Sequence, residues 1–293
     1  MGLLIQTLIF GLLVGGVYAL MSSGLTLVFG VMGIVNMAQG AFLILAAYLS
    51  FSLWSRTGVD PILAAFIVAP VMGLIGWLLY KGVVERVQRV DQGLTVVATF
   101  SLAIIAEGVT ALIWGPDPRA VTPSYFNQAF HVAGIVIPRA QLYAALLCAA
   151  VMVALGFLLS GTWLGRAITA SSENEEGARL VGIEPGRVGA WIFALSVATT
   201  AFGGATLSFL YEFVPDSQDS WIGLTLSVVI LGGLGSVPGA VLGGLLLGVA
   251  EALTTAYVSV RWTTSVPYVM ILLVLFIRPR GIFSPALRED TGT

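Results

Sequence analysis

A polytopic α-helical membrane bundle is the fold class this sequence predicts, and three observations predict it. Of the 293 residues, 58% are hydrophobic and only 10% charged, with a mean hydropathy of +0.98; soluble domains carry about 45–50% apolar and about 25% charged residues. The apolar residues fall in runs near the ~20-residue length of a membrane helix, cut by charges and prolines. No stretch alternates as barrel strands do, so helices, which pair their own backbone groups, are the default in lipid.

In chain order the candidate spans are 3–20, 24–54, 61–80, 94–114, 141–159, 188–210, 221–234, 239–258 and 264–277. The first begins without a basic residue and stays apolar past Leu20. A cleavable signal wants a positive start and a core of about 7–15 residues, so a membrane helix is expected there. The second is interrupted by Asn36, Gln39 and Gly40 and reads as one long broken helix or two short ones. That makes nine or ten spans.

Charge placement orients them. Lys81, Arg86 and Arg89 share one connection, Arg166, Arg179 and Arg187 another, and Arg278, Arg280 and Arg288 follow the last span. Nine of the 13 basic residues therefore sit in three segments, which share a side if two and then four spans separate them. Positive-inside assigns that side to the cytoplasm. Arg56, Asp60, Asp117, Arg119, Glu212, Asp216 and Asp219 then face outward. Ten spans, the preferred count, place the N-terminus inside; nine place it outside.

An internal repeat points to transport. Residues 24–43 (GLTLVFGVMGIVNMAQGAFL) align without a gap on 223–242 (GLTLSVVILGGLGSVPGAVL), with GLTL, a GA pair and the 16-residue glycine spacing in common. Duplicated halves with interrupted helices in corresponding places mark transporters, and the break points to the substrate path. Glycine packing shared by unrelated helices is the plainer alternative. Gly11 and Gly15, and Gly235, Gly239 and Gly243, recur every four residues and are read as packing faces.

Catalysis finds no constellation. The only lysine, Lys81, follows Tyr80, so no phosphate loop ending in Gly-Lys-Ser/Thr exists. Cys148 and His131 are each the sole residue of their kind, which leaves no disulfide framework and no two-histidine zinc motif. With 13 basic against 15 acidic residues, no basic excess is available for nucleic acid. A conduit or scaffold remains, with no cofactor of its own.

Residues 160–188 read SGTWLGRAITASSENEEGARLVGIEPGRV. Ser172 can cap a short helix with Glu173, Glu175 and Glu176 at its positive start. Ala178, Leu180 and Val181 would give it an apolar side, and Gly182 would end it. This is the shape of a docking element; a solvated loop is the alternative. Within the spans, Asn36 and Gln39 at the break are expected beside the substrate path, or else to satisfy backbone groups freed there. Glu107 and Glu251 are ionisable at membrane depth, where burial costs several kcal/mol, and are pathway candidates by default; helix-to-helix hydrogen bonding is the alternative. Glu212, Asp216 and Asp219, with Tyr211 and Trp221, form an acidic outer rim that a binding protein could touch; a solvated loop is the favoured alternative.

The stretch GRAITASSENEEGARLVGIEPGRV resembles the coupling loop of the LivH-type permeases of branched-chain amino acid ABC importers. YALMSSGLTLVFGVMGIVNMAQGAF, VVERV, WGPDPR, VVILGGLGSVPGAVLGGLLLGVAEAL and VLFIRPRGIF match in order, covering nearly the whole chain. Departures are mild: Gln39 stands where many members carry histidine, an Arg-Pro pair is missing after Arg86, and Gly177 replaces an alanine.

The resemblance implies one permease domain over 1–293 in the bacterial inner membrane, with a cytoplasmic coupling loop at 161–187, an external loop at 115–139 and a cytoplasmic tail at 279–293. Its implied partners are a LivM-like second permease, two LivG/LivF-like ATPases that use the ATP, and a substrate-binding protein. Arg166, Glu173, Glu176, Ala178, Arg179 and Gly182 would seat against an ATPase. Branched-chain or related amino acids are the implied cargo, with urea, short amides or aromatic acids as the alternative within the family. An ion-coupled secondary transporter using Glu107 or Glu251 is the rival class.

Overall fold

A computed structural model describes residues 2–278 except Ala133, together with Gly281 and Ile282. The chain is helical almost throughout. α1 (Gly2–Met32) is followed by a break and α2 (Gln39–Thr57). α3 (Pro61–Leu79) starts with Pro61 at its first turn and the Asp60 carboxylate accepting the Ile62 N–H at 2.9 Å, the arrangement that best meets unpaired N–H groups. A π-helical turn, Tyr80–Val84, carries α3 into α4 (Glu85–Gln88). α5 (Gln92–Trp114) leads to a hairpin of β1 (Ala129–Val132) and β2 (Ile135–Pro138). Then come α6 (Arg139–Gly161), the paired short helices α7 (Trp163–Glu173) and α8 (Glu175–Leu180), and α9 (Pro185–Leu210). A 3-10 turn at Pro215–Ser217 opens α10 (Gln218–Gly232), followed by α11 (Val237–Tyr257), α12 (Val260–Thr263) and α13 (Val266–Ile277).

Among the described residues, six helical stretches are long and apolar enough to cross a membrane: Gly2–Met32, Pro61–Gln88, Gly93–Trp114, Arg139–Gly161, Pro185–Leu210 and Val237–Tyr257. With α2, α10 and α13, nine helices of 12 residues or more stand among the described residues. The expected division between 3–20 and 24–54 is corrected here, because α1 runs through it. The hydroxyls of Ser22, Ser23 and Thr26 donate back to the carbonyls of Tyr18, Leu20 and Ser22 at 2.7–3.0 Å, so the polar run satisfies itself inside the helix. The chain breaks later, at Gly33, whose φ of +64° suits glycine.

α9 is the central post. Its small residues (Gly, Ala, Ser, Thr) are buried on all sides, and α1, α2, α3 and α6 pack around it. α1 and α11 cross in contact: a Cβ on Gly15 would lie 2.7 Å from the Leu245 Cα, and one on Gly11 2.7 Å from the Val249 Cα. Small residues permit this backbone approach. The expected glycine faces are real: Gly239 and Gly243 abut α10, while Gly244 and Gly248 meet Gly15 and Gly11.

The basic connections share one face. Lys81 Nζ donates to the Gly186 carbonyl at 3.1 Å, and the Ile282 N–H donates to the Leu231 carbonyl at 3.1 Å. The far end of α1 joins this face, since Val28 and Met32 share a core with Ala167, Ile168, Tyr80 and Val84. Val14, Val17 and Tyr18 share the opposite core with Val121, Ala140 and Phe213. The start of α1 therefore lies away from the basic face, which fits nine helices and corrects the preferred count of ten. Of the basic tail, Arg280 and Arg288 lie outside the described residues.

Candidate functional site

Two regions collect the candidate residues. On the basic face, Gly165 lets α7 turn tightly off α6, its missing Cβ making room for the Leu159 carbonyl. Asn174, rather than Ser172, caps α8: its Oδ1 accepts the Gly177 N–H at 2.8 Å, while the Ser172 hydroxyl is spent on the Thr169 carbonyl within α7. Gly182 closes α8 at φ +83°. Its N–H bonds to the Arg179 carbonyl and the Ile183 N–H to the Ala178 carbonyl, at 3.1 and 3.0 Å, the paired bonds of a Schellman motif.

The expected apolar side of α8 divides. Ala178 is buried against the bundle, whereas Leu180 and Val181 are 89% and 75% exposed beside Gly182. Arg166, Glu173, Glu176 and Arg179 are exposed as well. The result is a short, firmly closed tip with two bare aliphatic side chains and mixed charge around them. Glu85 steadies the neighbouring connection by pairing with Lys81 at 2.9 Å and Arg89 at 2.7 Å; that connection is largely helix.

The second region is the break at 33–38. Asn36 and Gln39 are fully buried. The Asn36 Oδ1 accepts the Ala38 N–H at 3.1 Å, and its Nδ2 donates to Gln39 Oε1 at 3.1 Å. Gln39 Nε2 donates to Thr200 Oγ1 on α9, Ser196 donates to the Gly24 carbonyl at 2.7 Å, and Thr99 of α5 accepts the Met37 N–H at 3.2 Å. Thr99, Ser196 and Thr200 escape sequence reading because a hydroxyl in an apolar helix is ordinarily bonded to its own backbone.

The repeat is visible at this point. Its offset sets Gly33 on Gly232 and Gly40 on Gly239, so the break between α1 and α2 matches the one between α10 and α11. The second break touches the last turn of α1 beside the first: a Cβ on Gly30 would lie 2.9 Å from the Gly235 carbonyl.

The intramembrane carboxylates are not brought together. Glu251 on α11 is 8% exposed and accepts the Tyr18 hydroxyl at 2.8 Å. Glu107 on α5 is partly exposed and accepts Gln218 Nε2 from the start of α10. On the face opposite the basic one, Glu212, Asp216 and Asp219 are exposed near Tyr211 and Trp221, whose rings meet edge to face. His131 is exposed on the unexpected hairpin. Tyr125 there donates to Asp60 at 3.2 Å, and burial beside that carboxylate pushes its hydroxyl pKa well up. Among the described residues no cluster could hold a metal ion.

Residues 7–275 match the family described as branched-chain amino acid transport system / permease component. The chain is 30% identical to the high-affinity branched-chain amino acid transport system permease protein LivH of Salmonella typhimurium, covering 95% of this chain and 94% of that one. It is 28% identical to the corresponding permease protein BraD of Pseudomonas aeruginosa, over 95% of each. The probable branched-chain amino acid transport permease protein LivH of Methanocaldococcus jannaschii is also 28% identical, over 90% of this chain and 87% of its own.

Proposed function

The chain belongs to the branched-chain amino acid transport system permease family, and on that premise we propose that it is the membrane subunit of an ATP-driven importer of branched-chain amino acids. It forms one permease domain over 1–293 and works beside a second, LivM-like permease. Two LivG/LivF-like ATPases hydrolyse the ATP, so this chain needs no cofactor. A binding protein delivers cargo to the acidic rim. Residues 161–187 form the coupling loop and 279–293 a tail, both cytoplasmic, and 115–139 lie outside.

The observation that supports this reading most is the closed tip of α8. Leu180 and Val181 are bare outside the lipid-facing surface, on the face that gathers the basic connections. An exposed aliphatic pair on a rigid, charged mount fits a groove on a soluble partner. Arg166, Glu173, Glu176 and Arg179 surround it for orientation, and Ala178 and Gly182 set its height. Within the membrane, Asn36 and Gln39 border the path at the break, and Glu107 lines its outer half. Glu251 stands further from it, occupied by Tyr18.

The test is isolation of the tagged chain in mild detergent from cells that also express its genomic neighbours. Two P-loop ATPases and a second permease should be retained, and the purified assembly should move L-leucine into proteoliposomes at the expense of ATP. Transport by the chain alone, driven by an ion gradient, would overturn the reading.

A further inference from the structure

An amino acid crosses the membrane as a zwitterion, and its ammonium group needs acceptors along the way. Apart from Glu85, which pairs with Lys81 and Arg89 at the basic end of its helix, two carboxylates lie within the long apolar helices described, Glu107 and Glu251. Glu251 is enclosed and already holds a hydroxyl. Glu107 differs in every respect that matters. It sits on α5, the least buried of the six long helices, and its side chain reaches the surface of the subunit. Carboxylates at this depth almost always face a bundle interior or a water-filled cavity, which fits this flank of α5 to a wet path.

Behind Glu107 stands Gln218, the first residue of α10 and only 5% exposed. Its Nε2 donates to Glu107 Oε2. Its Oε1 is enclosed and accepts nothing, a state that buried carbonyls rarely keep. The amide cannot be turned to relieve this, because Oε1 would then face the carboxylate. The acceptors thus outnumber the donors at this spot, and one of them is charged. A protonated amine supplies the missing complement of three donors and a positive charge.

The surroundings agree. No basic residue occurs in the sequence between Arg89 and Arg119. Asp216 and Asp219, both exposed, flank Gln218 in the chain and outnumber Arg119, whose backbone pairs with Phe213, so the balance of charge on approach favours a cation. Glu107 lies seven residues before the end of α5, about 10 Å below it. Gly40 packs on the first turn of α10, where an added Cβ would come within 3.0 Å of the Ile222 Cβ. The spot therefore adjoins the break beside Gln39.

We propose that Glu107 and Gln218 form a subsite for the ammonium group of the cargo in the outer half of the path. This rests on the amino-acid reading of the function and sharpens it: the cargo must carry a protonated amine.

The test uses the assembled importer in proteoliposomes, with L-leucine as probe and its binding protein saturated. Glu107→Gln keeps the size and the hydrogen bond but removes the charge, and Gln218→Leu removes the neutral acceptor. Both should lower leucine transport roughly tenfold or more, the scale of a lost charge-assisted hydrogen bond. Glu107→Asp should restore part of the rate. Isopentylamine at millimolar concentration should inhibit the wild type but not Glu107→Gln. Wild-type leucine transport with Glu107→Gln at full rate would overturn the subsite alone. Should Glu107→Gln fail to assemble, Gln218→Leu at full rate would overturn it equally. A wild-type importer that carries no amino acid would overturn the subsite and the proposed function together.

Discussion

At Glu251, one hydroxyl decides how costly a buried carboxyl group is. Tyr18 supplies the hydroxyl from α1 at 2.8 Å. Tyr18→Phe should destabilise the protein by about 1–3 kcal/mol, the penalty for an unsatisfied buried acceptor, read as a lower unfolding temperature in detergent. Transport per folded molecule should stay near wild type, in contrast to Glu107→Gln. At the break, the Asn36→Ala, Gln39→Ala double variant should lose most leucine transport while its assembly with partners persists; unchanged uptake would dispose of their place beside the path. Sequence singled out these polar residues because each breaks an apolar run. It did not reveal their partners, since Tyr18 lies 233 positions from Glu251 and Thr200 lies 161 from Gln39. Pairings that distant leave no local pattern.

Among the elements, α8 depends most on one backbone conformation. Gly182 holds a φ of +83°, which a side chain adopts only with strain. Gly182→Trp should leave membrane insertion intact and cut ATP-coupled transport roughly tenfold or more, within the range of measured coupling energies. Normal uptake with this change would sink the docking role of α8. The end of α8 was legible because Gly182 and Pro185 punctuate it; its start was not, because Ser172 and Asn174 are equally good caps. The length of α1 was misread for a related reason. Ser22, Ser23 and Gly24 look like an interruption, yet hydroxyls that bond their own helix do not interrupt it. The hairpin was missed altogether, being only four residues to a strand.

The whole molecule is a multi-pass inner-membrane permease whose two faces differ in charge. Its orientation is open to direct labelling, because the native Cys148 is fully buried. A membrane-impermeant maleimide applied to intact cells should modify Leu3→Cys, and should modify Leu180→Cys only after the membrane is opened. Labelling of both from outside would refute the assigned topology. The helical fold, the repeat and the shared side of the basic connections were legible, since lipid imposes composition and charge rules on every span. The number of helices turned on the single question of where α1 ends.

Where α1 meets α11, main chain rests on main chain through Gly11, Gly15, Gly244 and Gly248. Such a seam has no side-chain layer to act as a bearing, so neither helix can slide or roll without collision. When the transporter switches the side it opens to, these two helices must travel as one rigid strut. α5, the least buried of the six long helices, is held by no such seam.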